Sequence, residues 1–192
     1  MTTLIVIGTV PGSEQHLHRL IGEIFTHFDD YHLLIVRNNY EGFAKAYNYG
    51  LKKCEGYDDV LIINDDTLIN KNTLKLMKDK LWSNDKIGLV SVKSAFRGNH
   101  AAFYCVLIKT NVILNIGLLD ERFEVGECED IDYCIRLQDA GYTIDHIEED
   151  IGHFTSRTLA TLPEHLYQKK ILNKSKLVEK WRGTKWEHAF GF

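Results

Sequence analysis

The stretch that most limits how this chain can fold is Val60-Leu61-Ile62-Ile63, followed at once by Asn64-Asp65-Asp66-Thr67. Four consecutive apolar residues, mostly branched, read as a strand covered on both faces, the habit of parallel sheets. The strand breaks off in an amide and two carboxylates. Ligands of open α/β sheets sit at the carboxyl ends of strands, so a hard cation and its phosphate partner fit here. On this stretch alone an Asx turn is the simpler account of the same residues.

The flanks supply the layout. Leu4-Ile5-Val6-Ile7 is a first strand, and Gly8-Thr9-Val10-Pro11-Gly12-Ser13 the loop leaving it. Ser13 is placed to cap a helix whose Leu17, Leu20, Ile21, Ile24 and Phe28 recur at three- and four-residue spacing. That loop lacks the glycine pattern of a dinucleotide fingerprint or a P-loop, which argues against both chemistries. A second strand over residues 32–36, a helix over 43–53, the central strand, a helix over 71–82 and a strand over 88–92 follow. Strands and helices alternating at this length predict an α/β fold with a largely parallel sheet. A further strand over residues 101–109 and a short helix over 111–117 come next.

Composition narrows the class. The 192 residues, 44% hydrophobic, suffice for one cored domain with an appendage. No run approaches the roughly 20 apolar residues of a membrane span, and Met1-Thr2-Thr3 starts no signal peptide. Cys54, Cys105, Cys128 and Cys134 form no close pair of a zinc or redox site, so reduced thiols and a cytoplasmic location are expected. Residues 158–192 hold seven Lys/Arg against three Glu, a balance of +4 that leaves −8 on residues 1–157. An acidic body argues against a general nucleic-acid binder.

Acidic residues gather again downstream. Glu127, Glu129 and Asp130 precede a helix over residues 131–140, in which Ile131, Cys134 and Ile135 share one face and Gly141 ends the run. The macrodipole explains one or two acids at a helix start. Three in four positions is more charge than capping requires, and suits positioning a base or binding a cation. After a last strand near residues 145–147 comes His153, whose imidazole beside carboxylates suits Mn²⁺ better than Mg²⁺ alone.

In register, these pieces resemble the GT-A-fold glycosyltransferases of inverting family 2, particularly rhamnosyltransferase-like members. Asn39 to Leu51 resembles the family's N-x-G…A-x-N-x-G helix. Asn64-Asp65-Asp66-Thr67 resembles its D-x-D motif with Asn at the first position. Gly117-Leu118-Leu119-Asp120-Glu121-Arg122-Phe123, with Gly126 and Glu129-Asp130-Ile131-Asp132, resembles its G-x-x-D-E-x-F…D-x-D segment. The match spans roughly residues 1–157. It implies a Rossmann-like, mostly parallel sheet flanked by helices, and transfer of a sugar from a nucleoside diphosphate to an acceptor hydroxyl of a glycan, lipid-linked glycan, protein or modified base. By position, Asp66 and His153 would hold Mn²⁺ or Mg²⁺. Asp130 would be the general base and Glu129 its neighbour. Thr9, Val10, Pro11, Asn39, Gly42, Asn48, Asn64 and Asp65 would face the donor. The chain departs from the family after its second strand, where Arg37-Asn38 runs almost directly into Asn39 and the usual acidic contact to the base is missing.

Residues 158–192 form a separate basic extension. Its helix over residues 164–182 carries Tyr167, Ile171, Val178 and Trp181 near one stripe, and Phe190 and Phe192 follow. An amphipathic basic helix packs on its own domain, lies on an anionic membrane or pairs with a second copy. Lys180-Trp181-Arg182-Gly183 resembles the K-W-G ending of some family members, which favours packing. Two rivals share the layout. A nucleotidyltransferase should place Arg and Lys in the first loop, and residues 9–13 contain neither. A non-catalytic binding module would have no need of Asp66, Asp130 and His153 together.

Overall fold

The computed structural model describes residues 1–39, 41–154 and 163–187. The chain runs β1 (Thr3–Thr9), α1 (Glu14–His27), β2 (Tyr31–Arg37), α2 (Phe43–Leu51), β3 (Asp59–Asn64), β4 (Thr67–Leu68), α3 (Thr73–Leu81) and β5 (Ile87–Val92). It continues through β6 (Cys105–Lys109), α4 (Thr110–Ile116), α5 (Glu129–Asp139), β7 (Thr143–Ile147), β8 (Gly152–His153) and a last helix, here α6 (Glu164–Trp181). Six strands form the main sheet in the order β2-β1-β3-β6-β5-β7, and β4 pairs with β8 in a two-stranded ribbon. Only β6 runs against the others, pairing antiparallel with both β3 and β5. The fold is α/β with a mostly parallel sheet.

Period-two alternation along the buried strands builds the two sides of the core. Ile5, Ile7, Leu61 and Ile63 pack with Leu17, Leu20 and Ile24 of α1 and with Leu74, Met77 and Leu81 of α3. Leu4, Val6, Val60 and Ile62 face the other way, onto α2, α4 and α5. The chain crosses from β1 to β2 on one side and reaches β3 on the other. The crevice beyond the end of β1 is therefore a topological switch point, where such sheets bind ligands.

Helix α2 lies unusually close to β1. A Cβ on Gly50 would stand 2.5 Å from Val6 Cγ1, and one on Gly8 would stand 2.9 Å from the Tyr47 ring. Small residues on this helix thus serve helix–sheet contact at Gly50.

The starts of two elements and the packing face of a third differ from those expected. Strand β6 starts at Cys105, because the chain turns at Phe103-Tyr104 after Ala101 makes a single bridge to Phe96. Helix α5 starts at Glu129, because Cys128 takes a left-handed conformation (φ 75°) and launches it early. Helix α6 packs on the body through Trp181 of the expected stripe, but not through Tyr167 or Ile171. Asn173 and Leu177 are buried, and Leu177 and Trp181 join Phe123, Cys128 and Ile131 in a small apolar cluster. Tyr167 and Ile171 face outward. The cause is the polarity of the docking surface. Asn173 Nδ2 donates to the carbonyls of Glu124 and Gly126, both at 2.8 Å. Lys169 and Lys176 pair with Glu124, Lys170 with Glu127, and Lys180 with Asp120 and Asp132. Trp181 Nε1 donates to Asp132 at 3.0 Å. Phe190 and Phe192 lie outside the described residues. Among the described residues no helix is long and apolar enough to cross a membrane.

Filling the α2–β1 contact should be costly. Ala at a freely exposed helical glycine gains up to about 1 kcal/mol, whereas overpacking costs about 1–3 kcal/mol. Gly50→Ala should therefore lower the stability measured by urea denaturation.

Candidate active site

The end of β3 is fixed by two tyrosines. The Tyr47 hydroxyl accepts the Gly8 N–H at 3.1 Å, and its own proton faces the Ile63 carbonyl at 2.9 Å and Asn64 Oδ1 at 2.8 Å. The Tyr104 carbonyl accepts the Asn64 N–H at 2.9 Å and the Thr67 hydroxyl at 3.3 Å. Asp65 points inward and is buried, accepting a hydrogen bond from the Ser13 hydroxyl. Ser13 therefore does not cap α1 with its side chain. Its hydroxyl ties the end of β1 to the end of β3, lying 2.9 Å from both the Val10 carbonyl and the Thr9 hydroxyl. Burial pushes the Asp65 carboxyl up, against the hydrogen bonds from Ser13 and Thr9.

Asp66 leaves the turn the other way. The β4–β8 ribbon sets Thr67 opposite His153, which brings His153 Nε2 to 3.1 Å from Asp66 Oδ1. Tyr104 stacks on the imidazole, with ring centroids 4.1 Å apart and planes 8° from parallel. This stack fixes the ring while its buried Nδ1 has no partner among the described residues. An octahedral ion bonded at about 2.1 Å holds adjacent ligands about 3 Å apart, so the separation of this N and O suits one ion. Among the described residues no three His, Cys, Asp or Glu side chains are placed to hold a metal ion together. An ion here would complete its shell with water or ligand phosphate, as Mg²⁺ commonly does.

A second group of acids is placed by α2 and α5. Gly42, at φ 112°, starts α2, and a Cβ there would stand 3.1 Å from the Val125 nitrogen. The Phe43 N–H donates to the Val125 carbonyl at 3.1 Å. Val125, Glu127 and Cys128 have φ of 71°, 72° and 75°. Each such residue costs roughly 1–2 kcal/mol, and a β-branched residue there is an outlier. The distorted segment delivers Glu129 and Asp130 to the first turn of α5. Glu129 is buried, and its Oε2 has no partner among the described residues. Burial, then the neighbouring charge of Asp130, pushes its carboxyl well above the usual range. Asp130 is partly exposed. Burial pushes its carboxyl up to about 6, despite hydrogen bonds from the backbone N–H groups of Ile131, Asp130 and Cys128. A partly exposed carboxyl near 6 is poised to exchange a proton close to neutrality.

Asn48 is taken up by the protein's own hydrogen bonds. It is buried, donating to the Leu119 carbonyl and to Glu121 Oε1 and accepting the Leu119 N–H, each at 2.9 Å. It clamps the loop that leads to Asp120. Thr9, Val10, Pro11 and Asn39 line a recess of about 60 Å³ with Glu14, Leu17 and Arg37. Arg37 and Asn39 also border a larger hollow of about 310 Å³ over α2. The first loop and the segment after β2 thus meet at the switch point.

Tyr47, Tyr104 and Asn173 are not recognisable as site-organising residues in the sequence. The first two sit at ordinary core positions of a helix and a strand approach. Asn173 lies among lysines on a helix that reads as basic and amphipathic. The β4–β8 ribbon gave no signal because two-residue strands have no period.

The sequence matches no protein-family model and no curated protein. The structure is similar to several solved glycosyltransferases. The catalytic domain of Drosophila β1,4-galactosyltransferase 7 aligns at a TM-score of 0.69 with 12% identity, over 91% of this chain and 80% of that one. A mannosyltransferase from Pyrobaculum calidifontis aligns at 0.70 with 13% identity, over 93% of this chain and 63% of that one. GalNAc-T7 aligns at 0.74 with 11% identity, over 95% of this chain and 48% of that one. This chain is thus about half the length of the last. Identities this low establish the fold, and the fold is GT-A.

Two measurements test the placements. Asn48→Ala leaves both main-chain groups of Leu119 unpaired, and should cost about 1–3 kcal/mol in urea denaturation. The carboxyls of Glu129 and Asp130 titrate higher in the folded chain than their ordinary values, 3.8 for Asp. For Asp130 that contribution is fully present below about pH 4 and is lost as pH rises through about 6. Glu129→Gln should raise the melting temperature at pH 8, by about 2–4 °C for each kcal/mol recovered, and flatten the decline between pH 4 and 7.

Proposed function

We propose that the chain is a metal-dependent glycosyltransferase that moves a sugar from a nucleoside diphosphate to an acceptor hydroxyl, with inversion. The observation that carries this reading is the meeting of Asp66 and His153 at the end of the central strand of a GT-A fold. Solved neighbours of that fold are complexes with Mn²⁺ and GDP-Man, with manganese and UDP-Gal, and with Mn²⁺ and UDP. The register of the sequence motifs supports the relation to inverting family 2, with residues 1–157 as the transferase domain and residues 158–192 as its extension.

Asp66 and His153 hold Mn²⁺ or Mg²⁺, which when bound neutralises charge on the departing diphosphate. Asn64, fixed by Tyr47, and Gly42 border the donor. Thr9, Val10, Pro11 and Asn39 take its nucleoside at the switch point. Asp65 and Asn48 act from behind, by holding the first loop and the Leu119 loop. Asp130 accepts the acceptor hydroxyl's proton on its carboxylate as the new C–O bond forms, and the bond from the anomeric carbon to the diphosphate breaks on the opposite face. Glu129 stays buried behind it.

A thermal-shift panel of UDP-galactose and GDP-mannose, with and without Mn²⁺, tests the donor site. At least one should stabilise the protein only with metal, and Asp66→Ala should abolish that shift. Failure of every nucleoside-diphosphate sugar would remove the transferase reading. Asp130→Asn should reduce turnover about 10²–10⁴-fold, the usual worth of a general base, with donor affinity unchanged. In the wild type, turnover should fall tenfold per pH unit below about 6, because the base must be ionised.

A further inference from the structure

We infer that Asn173 is a positioning residue for the general base, so that helix α6 belongs to the catalytic apparatus. The inference rests on the assignment of Asp130 as that base. Between Phe123 and Glu129 the chain takes a path it would not hold by itself. Val125, Glu127 and Cys128 all lie in the left-handed region, and Gly126 between them has φ 151°. Such backbone persists only where its surroundings over-determine it. On one side the surroundings are the start of α2, through the Phe43 N–H and the close approach of Gly42. Among the described residues α6 supports it from another side, through Asn173 and Lys170.

Asn173 is fully buried at the centre of that contact. Its Nδ2 donates to the carbonyls of Glu124 and Gly126 at 2.8 Å and lies 3.3 Å from that of Glu127. Its Oδ1 faces Lys176 Nζ at 3.4 Å, which fixes the orientation of the amide. A side-chain amide is suited to this role because its NH₂ supplies two donors and no charge. The consequence reaches the base through the backbone. The Ile131 N–H donates to the Asp130 carboxylate at 2.8 Å, and the turn that presents both begins at Cys128, whose carbonyl accepts the Asp132 N–H at 2.9 Å and whose conformation Asn173 helps secure. A second contact tunes charge. Glu127 opposes ionisation of Asp130, and Lys170 pairs with Glu127 at 2.7 Å. Glu129 also faces Asp130, and Lys174 is among the charges acting at Cys128.

The test uses the full chain, with turnover read as release of nucleoside diphosphate from UDP-galactose and GDP-mannose in Mn²⁺, water serving as acceptor. Asn173→Asp keeps the shape and removes both donors. It should lower kcat at least tenfold and leave KM for the donor within twofold. Hydrogen exchange should quicken at the amides of residues 124–130 and stay unchanged in β1 and β3. Lys170→Gln leaves Glu127 uncompensated and should move the acidic limb of the kcat profile to higher pH, a shift that a merely structural contact would not produce. If Asn173→Asp does not fold, the Lys170→Gln profile decides. Unchanged exchange at residues 124–130, an unshifted limb, or equal losses in kcat and donor affinity would overturn the inference. If the wild type releases nothing from either sugar, the transferase reading is what fails, and the exchange result alone decides whether α6 sets the loop.

Discussion

The site depends on how closely α2 can approach the sheet. Glycines at 8 and 50 remove the side chains that would hold helix and strand apart. That approach lets the Tyr47 hydroxyl, at the end of a long rigid side chain, reach Gly8, Ile63 and Asn64 together. The next residue of the same helix, Asn48, reaches the Leu119 loop. At its start, Gly42 meets the loop that delivers Asp130. A single helix thus sets the strand-end motif and the acidic helix start in one frame. A shift in its packing would displace both, because close-packed interiors transmit strain rather than absorb it.

Within that frame the acids have separate roles. Asp65 and Asp132 are buried and spent on the protein's own hydrogen bonds, the first with Ser13 and the second with Arg136, Lys180 and Trp181. Asp66 and Asp130 keep some exposure. Glu129 is costly, a buried carboxyl with one oxygen unpaired among the described residues. A protein built only for stability would not place it beside a second acid. Its presence behind Asp130 fits a site in which raised proton affinity serves the chemistry.

Much of this was legible in the sequence. The apolar run at 60–63 specified a doubly covered central strand, and the periodicity of α1 and α2 gave their faces directly. Asp66, Asp130 and His153 stood out because their side chains are chemically unlike the core around them. What stayed hidden was long-range and small. No pattern announces a two-residue ribbon, although β4–β8 is what pairs Asp66 with His153. The docking stripe of α6 departs from its hydrophobic spacing for a related reason. Hydrophobic spacing favoured Tyr167 and Ile171, but the partner surface consists of carbonyls and carboxylates, and is met by Asn173 and lysines.

The position of α6 in the chain gives the docking contact a temporal meaning. All six strands of the main sheet, and the helices that cover them, are encoded before residue 148. A growing chain can therefore close its hydrophobic core while Asn173 is still to be made. The costly left-handed path before α5 gains its second support only when that helix arrives. Scaffold and the geometry around Asp130 would then be acquired in sequence, leaving a cored but unset protein during the interval. A chain released early would carry every residue of the strand-end motif and lack the brace behind Asp130.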